Sequence, residues 1–144
     1  MEKIVLESFY ISGIKVRTNN KNEITSNAKI APLWNEFFKQ DILKEASSDE
    51  IYGAYFNYES DFKGDFDVMA GVKINDSDKY ERLKIQSGEY LVFKAKGEMP
   101  QTVIDTWSKI WDYFSLNSKY KRRYGTDFEK YISQDEIEIY IGIL

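Results

Sequence analysis

Cysteine and histidine are both absent from this 144-residue chain. Without Cys there is neither disulfide nor thiol chemistry, and without His the usual transition-metal ligands are missing too. Long apolar runs are also lacking. No segment approaches the roughly 18 uninterrupted apolar residues of a membrane span, and Met1-Glu2-Lys3-Ile4-Val5-Leu6-Glu7 has no apolar core before its charges. Secretion and a membrane partner are therefore disfavoured, and a cytoplasmic location is expected. Charge of one sign is not concentrated: 20 basic residues stand against 24 acidic ones, for a net charge of −4. Direct binding to nucleic acid is disfavoured on that ground. The densest basic cluster, Lys119, Lys121, Arg122 and Arg123, is followed at once by Asp127 and Glu129 and reads as a solvated surface patch. No cofactor is implied.

Aromatic residues, by contrast, are plentiful. They make up 16% of a chain that is 42% apolar, with 11 Tyr, 9 Phe and 3 Trp. The length suits one domain with a real core, and there are more rings than such a core needs.

The chain also repeats itself. Tyr52-Gly53 and Tyr124-Gly125 are each followed by a phenylalanine, Phe56 or Phe128, four residues after the Tyr. Upstream of each motif lies an amphipathic helix with a Trp in its apolar stripe: Ile30, Leu33, Trp34, Phe37 and Phe38 in one, Val103, Trp107, Ile110, Trp111 and Phe114 in the other. Pro32 and Pro100 fit first-turn positions, where proline removes no internal hydrogen bond. Downstream lie alternating strands, Phe66 to Ile74 and Ile137 to Ile143, whose Gly71 and Gly142 follow the Tyr-Gly motifs at nearly equal distances. Before each helix comes another strand, Ile14–Thr18 and Glu89–Lys94, introduced by Ser12-Gly13 and Ser87-Gly88, both read as tight turns. Each unit can carry a short leading strand, at Val5–Phe9 and Glu81–Ile85. The polar segment Asn75-Asp76-Ser77-Asp78 joins the halves, giving repeat one at 1–76 and repeat two at 77–144 of a single domain. The fold class expected is α+β: duplicated β-α-β-β units about a pseudo-twofold axis, with an antiparallel sheet and a groove between the halves.

Strand alternation separates the faces. Phe56 and Phe128 are expected in the core. The opposite face is expected to hold Tyr55, Asn57 and Glu59 from the first unit, and Asp127, Glu129 and Tyr131 from the second. Asp67 and Met69, then Glu138 and Tyr140, are expected to join them from the third strands. A groove lined by rings and floored by carboxylates suits a flat, partly apolar cation. Two readings stand for Trp34, Trp107 and Trp111, ordinary helix-to-sheet packing and groove lining. For Glu129 they are a solvent-facing acid and an acid held in an aromatic site.

The order of Ser12-Gly13-Ile14, the Leu33-Trp34 helix, Ile51-Tyr52-Gly53 with Tyr55 and Tyr58, and Gly88-Glu89-Tyr90 resembles the GyrI-like small-molecule-binding domain family, also called the AraC-type effector-binding domain. The Trp107-to-Trp111 helix, Asp127-Phe128-Glu129-Lys130-Tyr131 and Ile137-Glu138-Ile139-Tyr140-Ile141-Gly142-Ile143 continue the resemblance over essentially the whole chain. It implies a duplicated fold with a ligand groove between halves. It also implies that Glu129 matches the family's buried acid, which meets positively charged and often aromatic drugs, and that Tyr55 and Tyr140 supply stacking rings. The candidate ligand-binding set is Glu129, Tyr140, Tyr55 and Asn57, with Trp107, Trp111, Met69 and Phe37. Relatives that regulate transcription carry a helix-turn-helix module beside this domain, and no residues remain for one here, so direct promoter binding is not expected. The expected partner is a small hydrophobic cation, with a protein partner or a homodimer through exposed strand edges left open. Two other functions stay open: a hydrolase of ring-strained molecules pairing Glu129 with Glu59, Asp127 or Glu138, and a protein-interaction module of the gyrase-inhibitor type.

Overall fold

The computed structural model describes residues 1–75, 79–116 and 118–144. Its strands are β1 (Glu2–Leu6), β2 (Phe9–Thr18), β3 (Ile51–Phe56), β4 (Phe66–Val72), β5 (Glu81–Ile85), β6 (Gly88–Lys96), β7 (Asp127–Tyr131) and β8 (Glu136–Gly142). A one-turn helix α1 (Asn20–Glu23) and helix α2 (Ile30–Lys39) follow β2, and helix α3 (Gln101–Ser115) follows β6. Pro32 is the third residue of α2, whose first helical bond runs from Leu33 N–H to Lys29 C=O, so the ring displaces no donor. Of the expected joint between halves, Asp76, Ser77 and Asp78 lie outside the described residues.

The strands form one antiparallel sheet in the order β1-β6-β8-β7-β3-β4-β2-β5. Sequence neighbours β1 and β2 sit in opposite halves of that order, joined by Glu7-Ser8; Gln86-Ser87 joins β5 to β6 in the same way. Two residues reach only about 7 Å, so the sheet must curl until its edges approach. The result is a half-barrel. Its inner face collects Ile11, Tyr52, Phe56, Met69, Tyr90 and Phe128 from all across the sheet into one core. Its outer face carries two separate cores, one of Leu33, Phe37 and Val68 with α2 and one of Ile110, Ile139 and Ile141 with α3. Among the described residues no helix is long and apolar enough to cross a membrane.

The duplication is exact in its pairing. Leu6 faces Gly88 where β1 meets β6, and Ile85 faces Phe9 where β5 meets β2, so each unit lends its leading strand to the other. Carrying these registers through β4 and β8 makes Gly53 equivalent to Glu129, the residue it directly faces. The pseudo-twofold axis therefore passes through that pair. This differs from the register read from the sequence, which aligned Tyr52-Gly53 with Tyr124-Gly125; in the fold Tyr52 matches Phe128. Ser12-Gly13 also differs from its expected turn, because it lies inside β2. There a Cβ on Gly13 would sit 1.9 Å from the Ala70 carbonyl oxygen, so glycine permits a close crossing of β2 and β4.

Candidate functional site

Between the two outer cores, across β3 and β7, the helices leave a groove over the axis. Glu129 lies on its floor, 2% exposed. Gly53 makes room for it: a Cβ there would stand 2.8 Å from Glu129 Oε1 and 3.0 Å from Trp34 Cζ2. One side chain thus occupies an axial position that two equivalent residues could not share.

An isolated carboxylate at this depth would be costly, by several kcal/mol. Three hydrogen bonds offset that cost. The Tyr55 hydroxyl donates to Oε2 at 2.8 Å, Trp107 Nε1–H to the same oxygen at 2.7 Å, and the Tyr131 hydroxyl to Oε1 at 2.9 Å. Tyr55 and Tyr131 are themselves equivalent about the axis, so the carboxylate is gripped symmetrically by the two units. Burial pushes the Glu129 carboxyl above its ordinary 4.5, and the three donors pull it back part of the way. Burial and the neighbouring acid push the Tyr55 and Tyr131 hydroxyls up, so both stay protonated donors.

Glu129 lines a cavity of about 440 Å³, within the range of small-molecule sites. Tyr55, Tyr58, Phe62, Phe66, Trp107 and Trp111 give it aromatic walls, and Ile24, Ile30, Val103 and Ile104 complete its apolar lining. Trp111 is 47% exposed and forms part of the rim. Among the described residues, two other charged groups line it, Glu23 and Arg122. Glu23 accepts from the Thr18 hydroxyl and from the backbone N–H groups of Lys29 and Ile30, where it caps the start of α2. Arg122 donates to the fully buried Asp127 at 2.7 Å, and Asp127 also accepts from the Tyr58 hydroxyl at 2.6 Å and the Gly142 N–H at 2.8 Å. Burial would lower the Arg122 pKa, but Asp127, Tyr58 and Tyr124 together outweigh it and hold the guanidinium charged. That positive charge is matched in place, so the wall carries a net negative balance.

Of the candidates read from sequence, Glu129, Tyr55, Trp107 and Trp111 come together in this cavity. The others lie elsewhere. Phe37 is fully buried beneath α2, and Met69 and Tyr140 belong to the inner core, where Tyr140 stacks on Phe128 with centroids 4.4 Å apart. Asn57, exposed just past β3, donates to Asp67. For Asp67, Met69 and Tyr140 the cause is strand parity. Registers Phe56↔Asp67, Ala54↔Met69 and Phe128↔Tyr140 put them on the face of Phe56 and Phe128, not that of Tyr55 and Glu129. The basic cluster departs from a solvated patch: Lys119 and Lys121 are exposed, but Arg122 turns in to Asp127 and Arg123 lies over the Tyr90 ring at 5.0 Å. Among residues outside the candidate set, Tyr58 and Arg122 line the cavity and Gly53 shapes its floor. The aromatic spacing of Tyr55 and Tyr58 was a signal for the first; nothing in the sequence pointed to the pairing of the second.

Comparison with known proteins agrees with this architecture. Residues 4–143 match the model of the family described as Cass2, integron-associated effector binding protein, and the chain belongs to that family, of the GyrI-like effector-binding class. The integron cassette protein VCH_CASS2 of Vibrio cholerae is 40% identical, with a TM-score of 0.91 over 99% of this chain and 95% of that one. A protein of Bacillus subtilis (strain 168), YobU, whose name describes a transcriptional regulator, is 29% identical over 92% of this chain and 90% of its own length. The structure of SAV2435 bound to tetraphenylphosphonium shares the fold at 22% identity, with a TM-score of 0.80 over 99% of this chain and 93% of that one.

Proposed function

We propose that this chain binds small hydrophobic cations, aromatic ones above all, in the cavity beside Glu129 and acts as a receptor or sequestering protein for them. The observation that carries the reading is a buried, hydrogen-bonded carboxylate at the floor of a cavity walled by rings. The rings bury apolar surface at roughly 25 cal/mol per Å², and their faces attract a cation. Glu129 then discriminates by charge, because an ionised carboxylate in a poorly solvated site gains most from a positive partner. Tetraphenylphosphonium, the ligand of SAV2435, has this chemistry.

The carboxylates that hydrolysis would pair with Glu129 are engaged or remote. Asp127 is held by Arg122, Tyr58 and the Gly142 N–H. Glu138 accepts from the Tyr140 hydroxyl at 2.6 Å, and Glu59 is exposed. Binding without turnover accounts for the arrangement.

A thermal-shift screen of cationic and neutral aromatic compounds against wild type and Glu129→Gln tests the proposal. Cations should raise the wild-type melting temperature and lose most of that effect in the variant. A panel in which neutral compounds stabilise as well as cations, or in which the variant responds like wild type, would overturn it.

A further inference from the structure

A second cavity of about 680 Å³ opens beside Trp34, Phe38 and Tyr131. The duplication explains its position. Leu33 and Phe37 are the buried residues of α2, as Thr106 and Ile110 are of α3. The residues next in sequence are therefore equivalent, Trp34 to Trp107 and Phe38 to Trp111, and by the same offset Ala31 matches Ile104. Trp107, Trp111, Ile104 and Tyr55 line the first cavity; their counterparts Trp34, Phe38, Ala31 and Tyr131 line the second. Val103 touches both, so the two cavities meet there.

Their charge differs. Glu129 lines the first cavity and not the second, whose lining includes Trp34 and the Tyr131 ring, the latter with its hydroxyl donated to Glu129 Oε1. Of the described residues lining the second cavity, Asp49 alone is charged, and it is exposed at the rim where water screens it. We infer that the second cavity is a separate binding site for a flat, uncharged aromatic molecule, seated between Trp34, Phe38 and Tyr131 and occupied at the same time as the first. The symmetry supplies the ring frame twice, while the single axial acid supplies charge recognition once. The inference rests on the proposed function only in giving the first cavity to the cation.

The probe is N-phenyl-1-naphthylamine, a neutral dye that fluoresces when it leaves water, titrated into protein saturated with tetraphenylphosphonium. Ala31→Trp fills the mouth of the second cavity from an exposed helix position, and Ile104→Trp does the same at the first. The expected result is retained dye binding in the wild-type complex, weakened at least about tenfold by Ala31→Trp and unaltered by Ile104→Trp. Phe38→Ser, an exposed truncation at the same rim, should also weaken the dye and replaces Ala31→Trp if that variant does not fold. Complete displacement of the dye by the cation, or equal dye affinity in wild type, Ala31→Trp and Phe38→Ser, would overturn the inference. Should tetraphenylphosphonium fail to bind at all, the dye titrated alone against the two Trp variants still decides the point, since only Ala31→Trp should then remove the binding that persists in Ile104→Trp.

Discussion

Replacing Gly53 by Ala adds one carbon at the axis and tests how tightly the floor is built. The new Cβ would lie 2.8 Å from Glu129 Oε1, closer than real Cβ contacts allow, and 3.0 Å from Trp34 Cζ2. A free carboxylate would swing aside, but this one is held by Tyr55, Trp107 and Tyr131, so moving it strains or breaks a hydrogen bond to a charged group. Such a bond contributes about 1.5–3 kcal/mol. Alanine returns about 0.4–1 kcal/mol by restricting the unfolded chain, which leaves a net loss of about 1–2 kcal/mol. At about 3 °C per kcal/mol for a domain of this size, the melting temperature should fall by about 3–6 °C. The same substitution in a Glu129→Ala background separates the causes, because neighbouring groups that interact are not additive. The cost should shrink by about half or more there, leaving the Trp34 contact as the remainder. An equal cost in both backgrounds, measured by urea unfolding, would refute the claim that Gly53 exists to house the carboxylate.

Two more predictions concern charge. Because the folded Glu129 carboxyl titrates above 4.5, its contribution to stability is fully present below that pH and is lost as pH rises through the folded value. Wild type should therefore lose ground to Glu129→Gln across that window in paired denaturation curves, whereas affinity for a permanent cation should change in the opposite sense, falling as pH drops through the same window. A cation affinity flat with pH in wild type would contradict the second half. Arg122→Met should cost about 3 kcal/mol in urea unfolding, the low end for breaking a buried pair, since Asp127 keeps Tyr58 and the Gly142 N–H; adding Asp127→Asn should recover part of the loss.

The helices, most strand cores and the duplication were legible because their signals are local: period-3.6 stripes around Trp34 and Trp107, and alternation in Ile137 to Ile143. The aromatic acid was legible only in part: Phe128 and Tyr131 flank Glu129 in one strand, but that pattern leaves a solvent-facing acid equally open, because what buries the carboxylate is Trp107 and Tyr55 arriving from distant elements. Met69 and Tyr140 were misplaced because alternation reports sides only when one face is wet. β4 is buried at all seven positions, with the inner core on one face and α2 on the other, so its sequence does not mark which face is which. The register of the repeat failed for a related reason. The Tyr-Gly match fell on residues of different roles, Gly53 making space on the axis and Gly125 lying before β7, and neither role leaves a mark in composition. Arg122 could not be told from Lys121 because its burial depends on Asp127 reaching it across a turn.

Calorimetric titration of wild type and Glu129→Gln with tetraphenylphosphonium and with neutral triphenylphosphine oxide addresses the carboxylate most directly. Glutamine fits the same pocket, its oxygen accepting from Tyr55 and Trp107 and its NH2 donating to the Tyr131 oxygen, so the charge is the main thing removed. Two unit charges about 5–6 Å apart at an effective dielectric near 20 interact by about 3 kcal/mol. The variant should bind the cation about 100-fold more weakly and the neutral compound within about threefold of wild type. Equal losses for both ligands, or no loss for either, would contradict the account.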